Sequence, residues 1–240
     1  MRSSTIVALL GGVLVTGVVQ AKGDGSLQAP LTIPAGRPGP VTVNWGDFNG
    51  DGKLDLVVAN GTASNVATGS PNILVLFQNP AARHDWKPFS LPVGASAVYV
   101  RGGDMDNDGF DDILVADTAR SAFFVRSVGD GTFAKPVAIA RSNGARWIAI
   151  ADFNNDHKLD FASSNFGAAN LTIFLGDGAG NFIWSQTHPG SREHTLDSLD
   201  FDGDGNMDLV MGSGLPGITP YKGDGKGKFV ARPNVSNLGC

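Results

Sequence analysis

Four stretches of the chain crowd short carboxylates at one spacing: DFNGDGKLD (47–55), DMDNDGFDD (104–112), DFNNDHKLD (152–160) and DFDGDGNMD (200–208). In a tight loop of this spacing the side-chain oxygens at positions 1, 3 and 5 turn inward. Position 7 adds a backbone carbonyl, and a later carboxylate closes the shell around a hard cation. The first loop offers Asp47, Asn49, Asp51, the carbonyl of Lys53, and Asp55. The second offers Asp104, Asp106, Asp108, the Phe110 carbonyl and Asp112. The third has Asp152, Asn154, Asp156, the Lys158 carbonyl and Asp160, and the fourth Asp200, Asp202, Asp204, the Asn206 carbonyl and Asp208. Oxygen donors without a cysteine or histidine pair favour Ca2+ over zinc or copper, and magnesium, with its stricter octahedron, comes second. Up to four calcium ions are expected. The site at Asp152–Asp160 is the weakest, because His157 stands where the other loops have Gly52, Gly109 and Gly205 and the backbone calls for a positive φ. The bland alternative is a set of hydrogen-bonded Asx turns. Three or four carboxylates gathered without a cation are unfavourable at neutral pH, which favours the metal reading.

The elements around the loops are strand-like. Alternating residues precede each loop, as in Val43/Trp45 against Asn44, and short apolar runs follow it (LDLVVAN, DDILVAD, LDFASSN, MDLVMGS). A third run (NILVLF, SAFFVRS, LTIFL, GITPYK) leads to a glycine turn with an aromatic anchor, GDGTF, GDGAGNF or GDGKGKF, and then to a fourth strand, clearest in KPVAIA (135–140). The glycine turns lack the Lys-Ser/Thr and the following helix of a phosphate loop. Four short antiparallel strands repeated every ~50 residues are expected to form the blades of an all-β propeller. The repeats fall at about 47–103, 104–151, 152–199 and 200–230, a β-propeller over 22–230, with 231–240 a C-terminal tail. Residues 27–46 are expected to supply a fourth and a first strand, the former completing the last blade. Closure as a four-bladed ring, a ring completed by a second chain, and part of a larger propeller all remain open.

Composition bounds the rest. Thirty-three glycines and thirteen prolines in 240 residues fit many turns and few long helices. A net charge of -5 gives no reason to expect nucleic acid. Glu193 is the single glutamate among 23 acidic residues, as expected when carboxylates serve tight loops rather than solubility. Residues 1–21 read as an export signal: Arg2, an apolar stretch from Thr5 to Val19, and VQA ending at Ala21. A membrane anchor is the alternative, but the stretch is shorter than the roughly 20 residues of a spanning helix. The expected location is secreted or extracellular, with the periplasm or cell surface possible. The single cysteine, Cys240, can form no internal disulfide, so a metal is the expected staple.

With both marks recurring together, GDFNGDGKLDLVVAN and LGDGAGNF resemble the VCBS and FG-GAP repeats, related to the blades of integrin α-chain propellers. The resemblance covers about residues 27–230. It implies a β-propeller with calcium in the loop joining the first two strands of each blade. It also implies recognition of an extracellular protein or glycan on one rim.

The connections entering each first strand bring Arg37, Arg146, Arg192, Glu193 and His194 toward that rim, and Arg101 and Asp197 are placed to pair in the channel. A catalytic reading rests on His188, Ser191, His194 and Asp197, which lack a nucleophile-elbow pattern. A binding module is therefore expected rather than an enzyme. A calcium-dependent polysaccharide lyase or hydrolase and a purely structural module are the alternatives. No nucleic acid partner and no membrane span after signal cleavage are expected, and a homo-oligomer completing a larger propeller is one possible assembly.

Overall fold

The computed structural model of the protein describes residues 6–10, 13–17, 31–34, 40–61, 72–79, 85–190, 194–213 and 217–234. Every regular element among them is a strand. Three lie at the N-terminus: β1 (Ile6–Leu10), β2 (Val13–Gly17) and β3 (Leu31–Pro34). The first blade comprises β4 (Pro40–Gly46), β5 (Asp55–Asn60), β6 (Ile73–Gln78) and β7 (Trp86–Leu91). The second has β8 (Ala97–Gly103), β9 (Asp112–Asp117), β10 (Ala122–Val125) and β11 (Val137–Ala138). The third has β12 (Ala145–Ala151), β13 (Asp160–Asn165), β14 (Asn170–Gly176) and β15 (Phe182–Pro189). The fourth has β16 (His194–Leu199), β17 (Asp208–Ser213), β18 (Ile218–Gly223) and β19 (Phe229–Ala231).

Each blade is a four-stranded antiparallel sheet whose strands follow chain order. The sequence repeats are therefore one strand out of phase with the blades, because each aspartate loop joins a blade's first strand to its second. The inner strands stand side by side in the order β4, β8, β12, β16, and each second strand also meets the next blade's inner strand. This stacking buries β5, β9 and β13 on both faces. It explains why β5 and β9 are nearly continuous apolar runs rather than alternating ones, whereas β13 buries Ser163, Ser164 and Asn165 as well. The cores lie between blades: Phe48, Val57 and Val75 with Val100, Ile113 and Val125, then Leu114 and Phe124 with Ile148 and Phe161, then Phe153 and Leu171 with Leu196 and Tyr221.

Two expectations are corrected, and the alternatives left open for closure are narrowed. Leu31–Pro34 does not complete the last blade: it pairs with Val13–Thr16, and the fourth blade has its own outer strand, β19. Among the described residues β16 has no packing on β4 comparable to that between successive blades, so the four blades form an open arc rather than a closed four-bladed ring. KPVAIA gives the shortest strand, the two residues Val137–Ala138, instead of the clearest fourth strand. Pro136 has no N–H to give to the ladder, and pairing starts after it.

The apolar stretch read as an export signal holds β1 and β2, paired with each other as a hairpin. β1 meets β4 as β5 meets β8, so the N-terminal sheet stands where the second to fourth strands of a preceding blade would. No helix among the described residues is long and apolar enough to cross a membrane.

Candidate metal centre

The first three aspartate loops share one hydrogen-bond scheme, visible in the first, and the fourth differs in that Asp200 Oδ1 accepts from Gly203 N at position 4. Asp47 accepts from the backbone N–H of Asp51 through Oδ1 (3.1 Å) and of Gly52 through Oδ2 (2.8 Å). Asp51 accepts from Lys53 N (2.8 Å). The same Asp-to-position-6 bond recurs at Asp104–Gly109, Asp152–His157 and Asp200–Gly205. This winding requires a left-handed residue at position 6, with φ of 76°, 92°, 64° and 85° at Gly52, Gly109, His157 and Gly205. His157 therefore occupies the strained conformation anticipated from its place in the motif. Position 4 is left-handed as well, at Gly50, Asn107, Asn155 and Gly203. That requirement was legible as a Gly/Asn restriction but was not drawn from the sequence.

The position-9 aspartates have a structural role that the sequence reading missed. Asp55, Asp112, Asp160 and Asp208 are fully buried. One oxygen of each accepts from the position-2 N–H: Phe48, Met105, Phe153 or Phe201. The other accepts from the end of the third strand, at Gln78, Ser127, Gly176 or Gly223. Each thus ties its loop to a strand distant in sequence. Burial pushes Asp55 and Asp160 up to about 6 and Asp112 up to about 7, against the backbone N–H groups that pull them down. Neighbouring loop carboxylates add to the rise.

The carboxylates gather most closely in two loops. Oxygens of Asp104, Asp106 and Asp108 lie within 4.8 Å of one another, as do those of Asp200, Asp202 and Asp208. Among the described residues the first and third loops make no such group, since Asn49 and Asn154 replace the position-3 acid. In the second loop the Asp106 side chain is 6% exposed, and its Oδ1 is buried with no hydrogen-bond partner. A buried carboxylate oxygen left unsatisfied is costly, and a cation bound among Asp104, Asp106 and Asp108 would satisfy it. The donor set, all oxygen, fits calcium.

Cationic side chains touch the same two loops. Arg126 donates through Nε to Asp106 and through Nη2 to Asp108 (2.9 Å). Lys222 Nζ contacts Asp202 and lies 2.8 Å from Asp204 Oδ2. Hydrogen bonds from Lys222 hold Asp204 below the usual carboxylate range. In the third loop Lys158 Nζ lies 3.9 Å from Asp156 Oδ2.

Of the expected rim residues, Arg37, Arg192 and Glu193 fall outside the described residues. His194 opens β16, pairing with Ser213. Arg146 holds its guanidinium over the Phe166 ring at 5.2 Å. Arg101 and Asp197 meet as expected, at 3.5 Å, and Arg101 also lies over Tyr99, whose ring packs on Trp147 with centroids 4.6 Å apart. His188 is placed against Tyr221 from the outer strand of the third blade, whereas Asp197 is on the inner strand of the fourth. The structure does not bring these two together, and Ser191 falls outside the described residues.

Residues 16–58 and 104–163 match the family described as FG-GAP-like repeat. No curated protein matches the chain. Among solved structures, an Agrocybe aegerita lectin described as specifically recognising non-reducing terminal N-acetylglucosamine is similar with a TM-score of 0.65 and 19% identity, over 99% of this chain and 64% of that one. A chain from the complex of BBS1N with ARL6DN, soaked with mercury, is similar with a TM-score of 0.58 and 14% identity, over 96% of this chain and 64% of that one. At these identities the likeness establishes the fold alone, and this chain spans 64% of the length of each. The repeated blades and the solved neighbours give this chain a β-propeller fold, and two of its segments are similar to FG-GAP-like repeats.

Proposed function

We propose that the protein is an exported, calcium-binding propeller module that recognises an extracellular glycan or protein. The observation that carries the metal reading is the unpartnered, buried Oδ1 of Asp106 inside the cluster of Asp104, Asp106 and Asp108. Calcium supplies a hard dication to the gathered oxygens and so tightens the turn between the first and second strands of a blade. The chain's own residues do the rest: the position-1 aspartates wind the loop, and the position-9 aspartates fasten it to the third strand. The role is structural, and recognition belongs to the surface that the stapled blades present.

The lectin neighbour favours a glycan ligand over a protein. On this chain the Tyr99–Trp147 ring pair, with Arg101 and the largely exposed Asp197 beside it, offers aromatic faces and charged hydrogen-bonding groups to a sugar. Two measurements test the reading. Millimolar calcium should raise the melting temperature of the full chain by several degrees, a chelator should abolish the gain, and Asp106→Ala should reduce it. Binding to an array that includes N-acetylglucosamine-terminated glycans should be retained by native protein and weakened by Trp147→Ala. An unchanged melting temperature in calcium would reject the metal reading, and a blank glycan array would reject the glycan ligand.

A further inference from the structure

The four loops differ in one correlated pair of positions. Position 3 is Asn49, Asp106, Asn154 and Asp202 in turn. The residue just before the third-strand N–H that anchors position 9 is Phe77, Arg126, Leu175 and Lys222. A third-strand cation stands only where position 3 is an acid, and it reaches that acid. Arg126 bridges Asp106 and Asp108, and Lys222 bridges Asp202 and Asp204. Where position 3 is Asn, the equivalent side chain packs apolarly: Phe77 stacks on Phe133, and Leu175 joins the core between the third and fourth blades.

The carboxylates that these side chains hold, at positions 3 and 5, are the ones a dication in the loop would draw on. A guanidinium or ammonium there adds a positive charge within a few ångströms of the ion, and Coulomb repulsion at that range is appreciable even at high effective dielectric. The same side chain removes much of the repulsion between acids when no ion is present. In the second loop the compensation is incomplete, since Asp106 Oδ1 has no partner although Oδ2 is held by Arg126.

Building on the calcium reading, we propose that Arg126 and Lys222 are built-in counter-cations that hold the second and fourth loops together without metal and compete with calcium for them. The chain then carries two kinds of loop. The second and fourth are rich in acid and self-compensated, whereas the first and third are poorer in acid and have no third-strand cation.

Calcium titration calorimetry of the full chain at low salt tests this, alongside thermal melts in chelator. Arg126→Leu installs the residue type of the third blade, and Arg126→Gln keeps a neutral hydrogen-bonding group should the first variant fold poorly. Lys222→Leu and Lys222→Gln probe the fourth loop. The expected result is a gain of about tenfold or more in calcium affinity at one site per substitution. It should come with a lower melting temperature in chelator and a larger rise on adding calcium. Binding in native protein that keeps its affinity in all four variants would overturn the inference and leave the calcium reading standing. An absence of binding heat in native protein and variants alike would overturn both.

Discussion

His157 adopts a φ of 64° at the place where three other loops use glycine. For a residue with a Cβ, the left-handed region costs on the order of 1 kcal/mol. The third loop holds this conformation from both sides of His157: Asp152 accepts from Asp156 N and His157 N, and Lys158 N donates back to Asp156 Oδ1. His157→Gly should therefore stabilise the protein by about 1 kcal/mol in urea denaturation, less glycine's larger unfolded-state entropy. A loss of stability would show that the imidazole makes a compensating contact. At 4.0 Å from Asp152 Oδ2 with its side chain almost fully exposed, it is poorly placed to do so.

At the scale of elements, the buried position-9 aspartates join each loop to the third strand of its blade, so their ionisation bears on stability. Asp55, Asp112 and Asp160 are raised from the ordinary 3.8 to about 6, about 7 and about 6, chiefly by burial. A carboxyl whose folded-state pKa lies above its unfolded value stabilises the fold most below the unfolded value. That contribution is lost as pH rises through the folded one. In chelator the melting temperature is therefore expected to fall as pH goes from about 5 to about 8. Calcium, which favours ionised oxygens, should flatten the decline. Thermal melts across this range with and without calcium check it, and a metal-free melting temperature that rises over the window would contradict the assignment.

Among the described residues the blades form an arc in which one face of the fourth blade is uncovered. The position-2 residues Phe48, Met105 and Phe153 are 0%, 1% and 1% exposed, each covered by the next blade, whereas Phe201 of the last blade is 39% exposed. Phe153 meets Phe229 edge-on at 5.2 Å, and nothing equivalent covers Phe201 among the described residues. Ile218 is 47% exposed where Ile73, Ala122 and Leu171 are buried, and Leu199 adds to the patch. Apolar surface of this kind drives association. The native chain should show a concentration-dependent mass above that of the monomer in light scattering, and Phe201→Asp with Ile218→Lys should return it to monomer. A native chain that is monomeric at all concentrations would show that the face is stable in water.

Much of this was legible in the chain itself. The aspartate spacing, the glycine turns with their aromatic anchors and the recurrence of both marks specify local geometry: turns need particular φ values, and strands need β-branched and apolar runs. That is why the blade, the loop and the left-handed position 6 can be read from residue order. What pairs across long separations could not. The anchoring of position 9 to Gln78, Ser127, Gly176 and Gly223, the closing of Arg126 and Lys222 onto loop acids, and the pairing of Leu31–Pro34 with Val13–Thr16 depend on which strands become neighbours. The open arc was likewise decided only in three dimensions. Each blade repeats the same pattern whether or not another follows it, so whether the last face is covered depends on how the blades stack and not on the residues of any one repeat.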